Sequence, residues 1–306
     1  MRLSSKRSEA SGLLVVESPE ALSKLGASGA WWICHDEGDL DEMLSLVVAD
    51  NDEWRLEPVG FGRQEDQRTD AEALARLGDA VFVFGSSFVD KSGSFDHRRA
   101  FVGRFSESAA LAGAPAVDVL DLGSTLADLA AAALAGIDLL RTDGAPDLVN
   151  VEGAGFVDDD LFLGFRWPVS AEGQPLLLRI SDAAAVFGAP DWSAARIASL
   201  DASAVVVDVG ASPKRPAGVR GMTVVDGAVQ LVVGQTERRL AAKKVKAAGA
   251  RHVRVDTLGP GPSSGIDIEH FEGFRKVEGV APAPDGRWVY ALDDEDAVVL
   301  VVSAEA

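Results

Sequence analysis

Near the end of the chain the sequence reads Val277-Glu278-Gly279-Val280, then Asp285-Gly286, then Trp288-Val289-Tyr290-Ala291-Leu292. Asp-Gly supplies the positive φ of a tight hairpin turn, and the Trp/Val/Tyr run that follows suits a strand better than a helix. The segment therefore predicts a charged residue, a short strand, a turn and a second strand. The same order recurs upstream. Val219-Arg220-Gly221-Met222 leads through Asp226-Gly227 to Val229-Gln230-Leu231-Val232-Val233, and Val151-Glu152-Gly153-Ala154 leads through Asp158-Asp159 to Leu161-Phe162-Leu163. Ala71-Glu72-Ala73-Leu74 leads through Gly78-Asp79 to Ala80-Val81-Phe82-Val83-Phe84. A fainter copy, Ala21-Leu22-Ser23-Lys24-Leu25, precedes Ser28-Gly29 and Trp31-Trp32-Ile33.

Third and fourth strands fit after each pair: Met43 to Val48 with Trp54 to Val59, Arg99 to Phe105 with Ala116 to Leu120, and Leu176 to Ile180 with Ala204 to Val209. Four strands per unit is the make-up of a propeller blade, which needs about 40–50 residues. The interval from Glu72 to Glu152 is much longer and must hold an insertion. Thr125-Leu126-Ala127-Asp128 opens a helical apolar pattern there, so a helix is expected near 124–141. A second helix is expected within Thr236 to Ala248, whose Lys243, Lys244 and Lys246 read as a solvated face.

The expected fold is all-β: a single propeller of about five four-stranded blades spanning 11–306, preceded by a disordered tail over 1–10. Six blades is the alternative. The last copy has room for only three strands after its start, so pairing of the N- and C-terminal strands closes the ring. Leu13-Leu14-Val15-Val16-Glu17 is the expected closing strand, leaving no open edge. Gly261-Pro262-Ser263-Ser264-Gly265 has nucleophile-elbow spacing but no strand–turn–helix context, and reads as a turn.

The series of x-Glu-Gly-Leu-like blade starts resembles an uncharacterised bacterial β-propeller family, a domain of unknown function. More distantly it is similar to phytase-like esterase and gluconolactonase-type propellers. The resemblance implies a propeller and, in the better-known relatives, a divalent cation at the channel mouth. It implies no particular reaction.

In a propeller the first strand of every blade lines the channel, so residues far apart in sequence meet at its mouth. That places Ser23, Glu72, Glu152, Arg220 and Glu278 together, with Arg99 and Arg166 from the surrounding loops as forks for a carboxylate or phosphate. Three converging carboxylates repel one another, and Arg220 offsets about one charge. A hard cation held by Glu72, Glu152 and Glu278, with Ca2+ the natural ion, would offset the rest. The competing reading has the same glutamates accepting backbone hydrogen bonds that hold the blades in register. His35, followed by Asp36 and Glu37, and His97 are the candidate general bases, and Ser86 and Ser87 the candidate nucleophiles.

The 306 residues carry 29 Lys+Arg against 48 Asp+Glu, a formal net charge of −19, which excludes a general nucleic-acid binder and disfavours anionic membranes. One cysteine, Cys34, rules out an internal disulfide; set in the apolar run Ala30 to Cys34, it reads as a buried inert thiol. The apolar stretch Gly12 to Val16 is shorter than a signal-peptide core, so a cytoplasmic location is expected. The expected partner is a small polar ligand; no protein partner is identified. Two classes stay open on the sequence. One is a hydrolase of an ester, lactone or phosphoester, and the other a non-catalytic ligand-binding or protein-interaction module.

Overall fold

In the structure, a computed structural model, the described residues are 2–4, 10–36, 42–50, 53–61, 68–87, 95–140, 149–236, 249–258, 262–271, 276–292 and 297–303. The chain begins with β1 (Arg2–Ser4), followed by blade 1: β2 (Ala10–Val15), β3 (Gly29–His35), β4 (Leu44–Asp50) and β5 (Glu53–Pro58). Helix α1 (Pro19–Leu25) joins β2 to β3. Blade 2 is β6 (Ala71–Leu77), β7 (Ala80–Gly85), β8 (Phe101–Ser106) and β9 (Val117–Asp121), with α2 (Glu107–Leu111) between its last two strands. Helix α3 (Thr125–Leu134) leads to blade 3: β10 (Asn150–Val157), β11 (Asp160–Val169), β12 (Pro175–Ile180) and β13 (Ala202–Asp208), with α4 (Ala183–Phe187) and α5 (Ala194–Ala198) before β13. Blade 4 comprises β14 (Ala217–Val225), β15 (Ala228–Gln235), β16 (Arg251–Val255) and, after the two-residue β17 (Ser263–Ser264), β18 (Ile266–His270). Blade 5 is β19 (Val277–Pro282), β20 (Trp288–Leu292) and β21 (Ala297–Val302), completed by β1.

The protein is thus a five-bladed β-propeller with few short helices. Each innermost strand packs on the next, from β2 through β6, β10, β14 and β19 and back to β2, which closes the ring. The blades stack through apolar faces. Trp32, Leu46 and Val48 of blade 1 meet Leu74, Val83 and Phe105 of blade 2, and Phe82 and Phe84 of blade 2 share a cluster with Leu163, Phe165 and Phe187 of blade 3. Burying the inner strands between neighbouring blades is the main stabilising term, at about 25 cal/mol per Å2 of apolar surface removed from water. Helix α3 lays Leu126, Leu129, Ala130 and Leu134 on that second cluster, where the sequence pattern expects a helix.

Several local expectations are corrected. The closing strand is β1, paired antiparallel with β21 as Arg2↔Val299, Leu3↔Val298 and Ser4↔Ala297. Part of the expected disordered tail is therefore ordered by the ladder, and Leu13–Val15 lie instead in the innermost strand of blade 1. The Ser23 copy is not a strand but α1. Ser18 caps it by accepting from the Ala21 N–H, Pro19 occupies its first turn, and Gly26 ends it at φ 62°. Ser263–Ser264 is not a free turn but a parallel stitch on β13, Val207↔Ser263 and Asp208↔Ser264, tying blade 4 to blade 3. The helix expected after Thr236 falls on 237–248, outside the described residues. Among the described residues no helix is long and apolar enough to cross a membrane.

Candidate functional site

The ladder between the first two strands of each blade skips one residue at the blade start. The register shifts fall between Ala10 and Gly12, Ala71 and Ala73, Val151 and Gly153, Val219 and Gly221, and Val277 and Gly279. The skipped residues are Ser11, Glu72, Glu152, Arg220 and Glu278. Each is a β-bulge residue, left out of the ladder so that its side chain is re-aimed. All five are buried. The glycine that follows answers to the same geometry. A Cβ at Gly221 would come within 2.7 Å of the Glu278 carbonyl oxygen, and one at Gly153 within 2.5 Å of Met222 Cβ. Glu-Gly is therefore a bulge plus a point where neighbouring inner strands touch.

The charged bulge residues meet. Arg220 Nη1 lies 2.5 Å from Glu278 Oε1, across the boundary between blades 4 and 5. Glu152 Oε1 accepts from Arg166 Nη1 at 3.0 Å and from Asn150 Nδ2 at 2.9 Å. Glu72 has no hydrogen-bond partner among the described residues. Burial, reinforced by the nearby charges of Glu152, Asp70, Glu278 and Asp36, holds its carboxyl well above the ordinary range. Arg166 feels the same carboxylates with the opposite sign: Glu152 foremost, then Glu278 and Glu72, hold its guanidinium charged. At the edge, Asp70 accepts from Ser86 Oγ and from Arg99 Nη1, the latter at 3.1 Å. Burial raises the Asp70 carboxyl above its usual range despite those two partners.

Among the described residues, Ser11 Oγ, Ser87 Oγ, Arg99 Nε and Asn150 Oδ1 are buried here without a hydrogen-bond partner. Ser87 also sits at φ 56°, a left-handed conformation rare for serine. A folded chain rarely leaves such groups unmatched unless water or a ligand matches them.

Of the sequence candidates, Glu72, Glu152, Arg220, Glu278 and Arg166 come together and Arg99 joins through Asp70. Ser23 does not. It is exposed on α1, in the connection between the first two strands, and Ser11 occupies the corresponding blade start. The Ser-Gly step at 11–12, parallel to Glu-Gly, is the signal that identifies it. Asn150 and Asp70 were also missed as site residues; each precedes a bulge residue by two positions. His35 is a fully buried strand residue, not a loop base, with Nε2 3.0 Å from Ser45 Oγ. His97 is exposed in a turn, its ring edge-on to Phe95.

The donor set does not fit a calcium ion. Glu152 and Glu278 are engaged by guanidinium groups, which would repel a dication placed between them. Among the described residues no group of three or more His, Cys, Asp and Glu side chains has the arrangement to hold a metal ion.

No protein-family model matches the chain, and no curated protein matches it. Solved structures do. An α-L-arabinofuranosidase from Clostridium thermocellum is 11% identical, with a TM-score of 0.51, over 99% of this chain and 92% of that one. A GH43_1 enzyme from Xanthomonas citri is 11% identical (TM-score 0.49; 100% and 91% covered), and a glucose dehydrogenase-like putative oxidoreductase from Thermus thermophilus is 14% identical (TM-score 0.42; 99% of both). At such identities the likeness shows a shared fold and assigns neither family nor reaction. The chain is a five-bladed propeller of the architecture found in that arabinofuranosidase.

Proposed function

We propose that the cluster at the channel mouth binds a small, uncharged, polyhydroxylated ligand of the monosaccharide class. The observation that carries this is Glu72, a carboxyl that burial, and then its acidic neighbours, hold well above the ordinary range and that has no hydrogen-bond partner among the described residues. Around it stand carboxylate acceptors (Glu152, Glu278), guanidinium donors (Arg166, Arg220) and the unmatched oxygens of Ser11, Ser87 and Asn150. Anions face the carboxylates and cations face the arginines. A polyol, whose every hydroxyl both donates and accepts, matches both kinds of group at no charge cost. The fold shared with an enzyme named for arabinofuranoside cleavage supports a sugar over other polyols.

A second reading follows from the same carboxyl. A Glu72 carboxyl raised by burial, near a Glu152 that accepts hydrogen bonds from Arg166 and Asn150, matches the division of labour an acid-catalysed hydrolase uses: one carboxyl donates to the leaving oxygen while another activates water. Ligand titration of the wild type, Glu72→Gln and Glu152→Leu with L-arabinose and D-glucose tests the binding proposal. Glutamine keeps a neutral donor, so Glu72→Gln should retain binding, whereas Glu152→Leu should lose it. Failure of both sugars to bind the wild type at about 10 mM, the range of a weak site, would remove the proposal. Loss of aryl-glycoside cleavage in Glu72→Gln with binding intact would establish the hydrolase reading.

A further inference from the structure

A cavity of about 860 Å3 opens over blade 4 between the loop that links β13 to β14 and the ends of β15, β16 and β18. This volume suits a small organic molecule. Its floor is apolar, with Val233, Ala250 and Phe271, and its rim is cationic, with Lys214, Arg215 and Arg251. In a protein of net charge −19 such a rim is against the overall trend.

The rim is held in place before any ligand arrives. Gln174 Oε1 accepts from the backbone N–H groups of Val209 and Ala211 at 3.0 and 3.3 Å, while its Nε2 donates to the Ala211 carbonyl at 3.1 Å. The turn carrying the two exposed cations is closed by the Arg215 N–H on the Ser212 carbonyl at 2.8 Å, and the Ala217 N–H bonds the Gly173 carbonyl at 2.9 Å. Arg251 is fixed by donating to the Val209 carbonyl at 2.6 Å and is near Asp267, at 3.3 Å, which also lies 3.4 Å from His270 Nε2. Asp267 offsets one of these charges. Lys214 and Arg215 take part in no ion pair among the described residues, although acidic side chains outnumber basic ones across the chain.

We infer that this cavity is a binding site for a small organic anion, whose carboxylate or phosphate group meets Lys214, Arg215 and Arg251 while its apolar part lies on Val233, Ala250 and Phe271. The two cations left unpaired on a braced loop supply the charge, and Arg251, held by Val209 and Asp267, fixes the far side of the rim. The site is distinct from the channel cluster. None of Glu72, Glu152, Arg166, Arg220 and Glu278 lines the cavity, although Arg220 lies directly behind the lining residue Gly234, on which a Cβ would fall 2.8 Å from Arg220 Cδ. The inference therefore stands whether or not a sugar binds at the channel.

Thermal unfolding at constant ionic strength tests it, with citrate and inorganic phosphate as the probes against sodium chloride. An anion that binds the folded state raises the melting temperature as its concentration passes the dissociation constant. The wild type should be stabilised by citrate, by phosphate or by both beyond the chloride control, and the responding arm tells carboxylate from phosphate recognition. Lys214→Glu/Arg215→Glu should weaken the effect by about tenfold in apparent affinity, the worth of one charge-assisted hydrogen bond, and Lys214→Gln should weaken it less. Both residues are exposed in a turn, so the variants should fold; should the double variant fail to, Lys214→Gln alone decides. Melting temperatures that depend on ionic strength only, or a citrate or phosphate response undiminished in the folded variants, would overturn the assignment.

Discussion

Arg220 and Glu278, 58 residues apart in sequence, are joined at 2.5 Å, each as the bulge residue of its own blade. Blades 4 and 5 are thereby locked at the channel. Removing only the guanidinium leaves Glu278 buried near Glu72 and Glu152. Arg220→Met should therefore destabilise the fold by about 3–5 kcal/mol, and Arg220→Met/Glu278→Leu should recover most of the loss. Urea unfolding of the two single variants and the double variant checks this; additive losses would show that the pair is not coupled.

Glu72 predicts a particular pH dependence. Its folded carboxyl is held above the ordinary 4.5, so the native state keeps a proton that the unfolded chain releases. That contribution is fully present below about pH 4.5 and is lost as the pH rises through the higher native value. Glu72→Gln cannot ionise, so it should be more stable than the wild type at neutral pH, and the two should converge toward pH 4. Denaturant midpoints across that range decide the matter.

His252 works in the opposite direction. It is buried between Gln230 and Tyr290, with Nε2 3.0 Å from Gln230 Oε1 and Nδ1 2.9 Å from the Tyr290 hydroxyl, which donates to Glu269 at 2.8 Å. Burial pulls the imidazole down from 6.5 to about 4. The folded state thus keeps it neutral while the unfolded chain takes up a proton below pH 6.5. About 3 kcal/mol of stability should be lost as the pH falls from 6.5 toward 4. His252→Gln should flatten that part of the profile, read by thermal unfolding at stepped pH.

Cys34 should be silent until the protein unfolds. The thiol is fully buried, accepts the Gly12 N–H at 3.1 Å, and is held well above its ordinary range by burial first and by Glu72 second. Thiolate is the reactive form, so a disulfide reagent should label native protein at the rate of global or local opening. Rapid stoichiometric labelling under native conditions would contradict this placement.

A staple between blades 1 and 2 makes a fourth target for substitution. Glu107 accepts from Trp32 Nε1 at 2.7 Å and pairs with Arg76 at 2.6 Å, and Arg76 also donates to the Val15 carbonyl. Glu107→Ala should cost about 2–4 kcal/mol, because it strands a buried indole N–H and takes from Arg76 its nearest carboxylate. Calorimetry would show the drop; an unchanged melting temperature would mean that solvent replaces the carboxylate.

Four of the five blades were legible as a repeat because each must turn sharply after its first strand and then bury a second, and the Asp-Gly, Asp-Asp and Gly-Asp steps and aromatic runs record those demands directly. Glu72, Glu152, Arg220 and Glu278 were legible for the same reason: a bulge followed by a small residue leaves a local trace. The first blade was misread. Ser23 sits at a plausible interval before Trp31, whereas Ser18-Pro19 and Gly26 around it start and stop a helix. Ser11-Gly12 lacks a charge and so escaped notice.

What the amino-acid order determined alone was the unit, its number within one, and which residue in most units is set apart, since turns and strand faces depend on neighbours a few positions away. What only the tertiary structure decided was who meets whom. That Glu152 belongs to Arg166 and Asn150, that Arg220 belongs to Glu278, that Glu72 has no such partner among the described residues, and that the strand Arg2–Ser4 completes the last blade, all depend on distances across the channel and between blades. Such distances are set by how the sheets pack, and no local stretch of sequence encodes them.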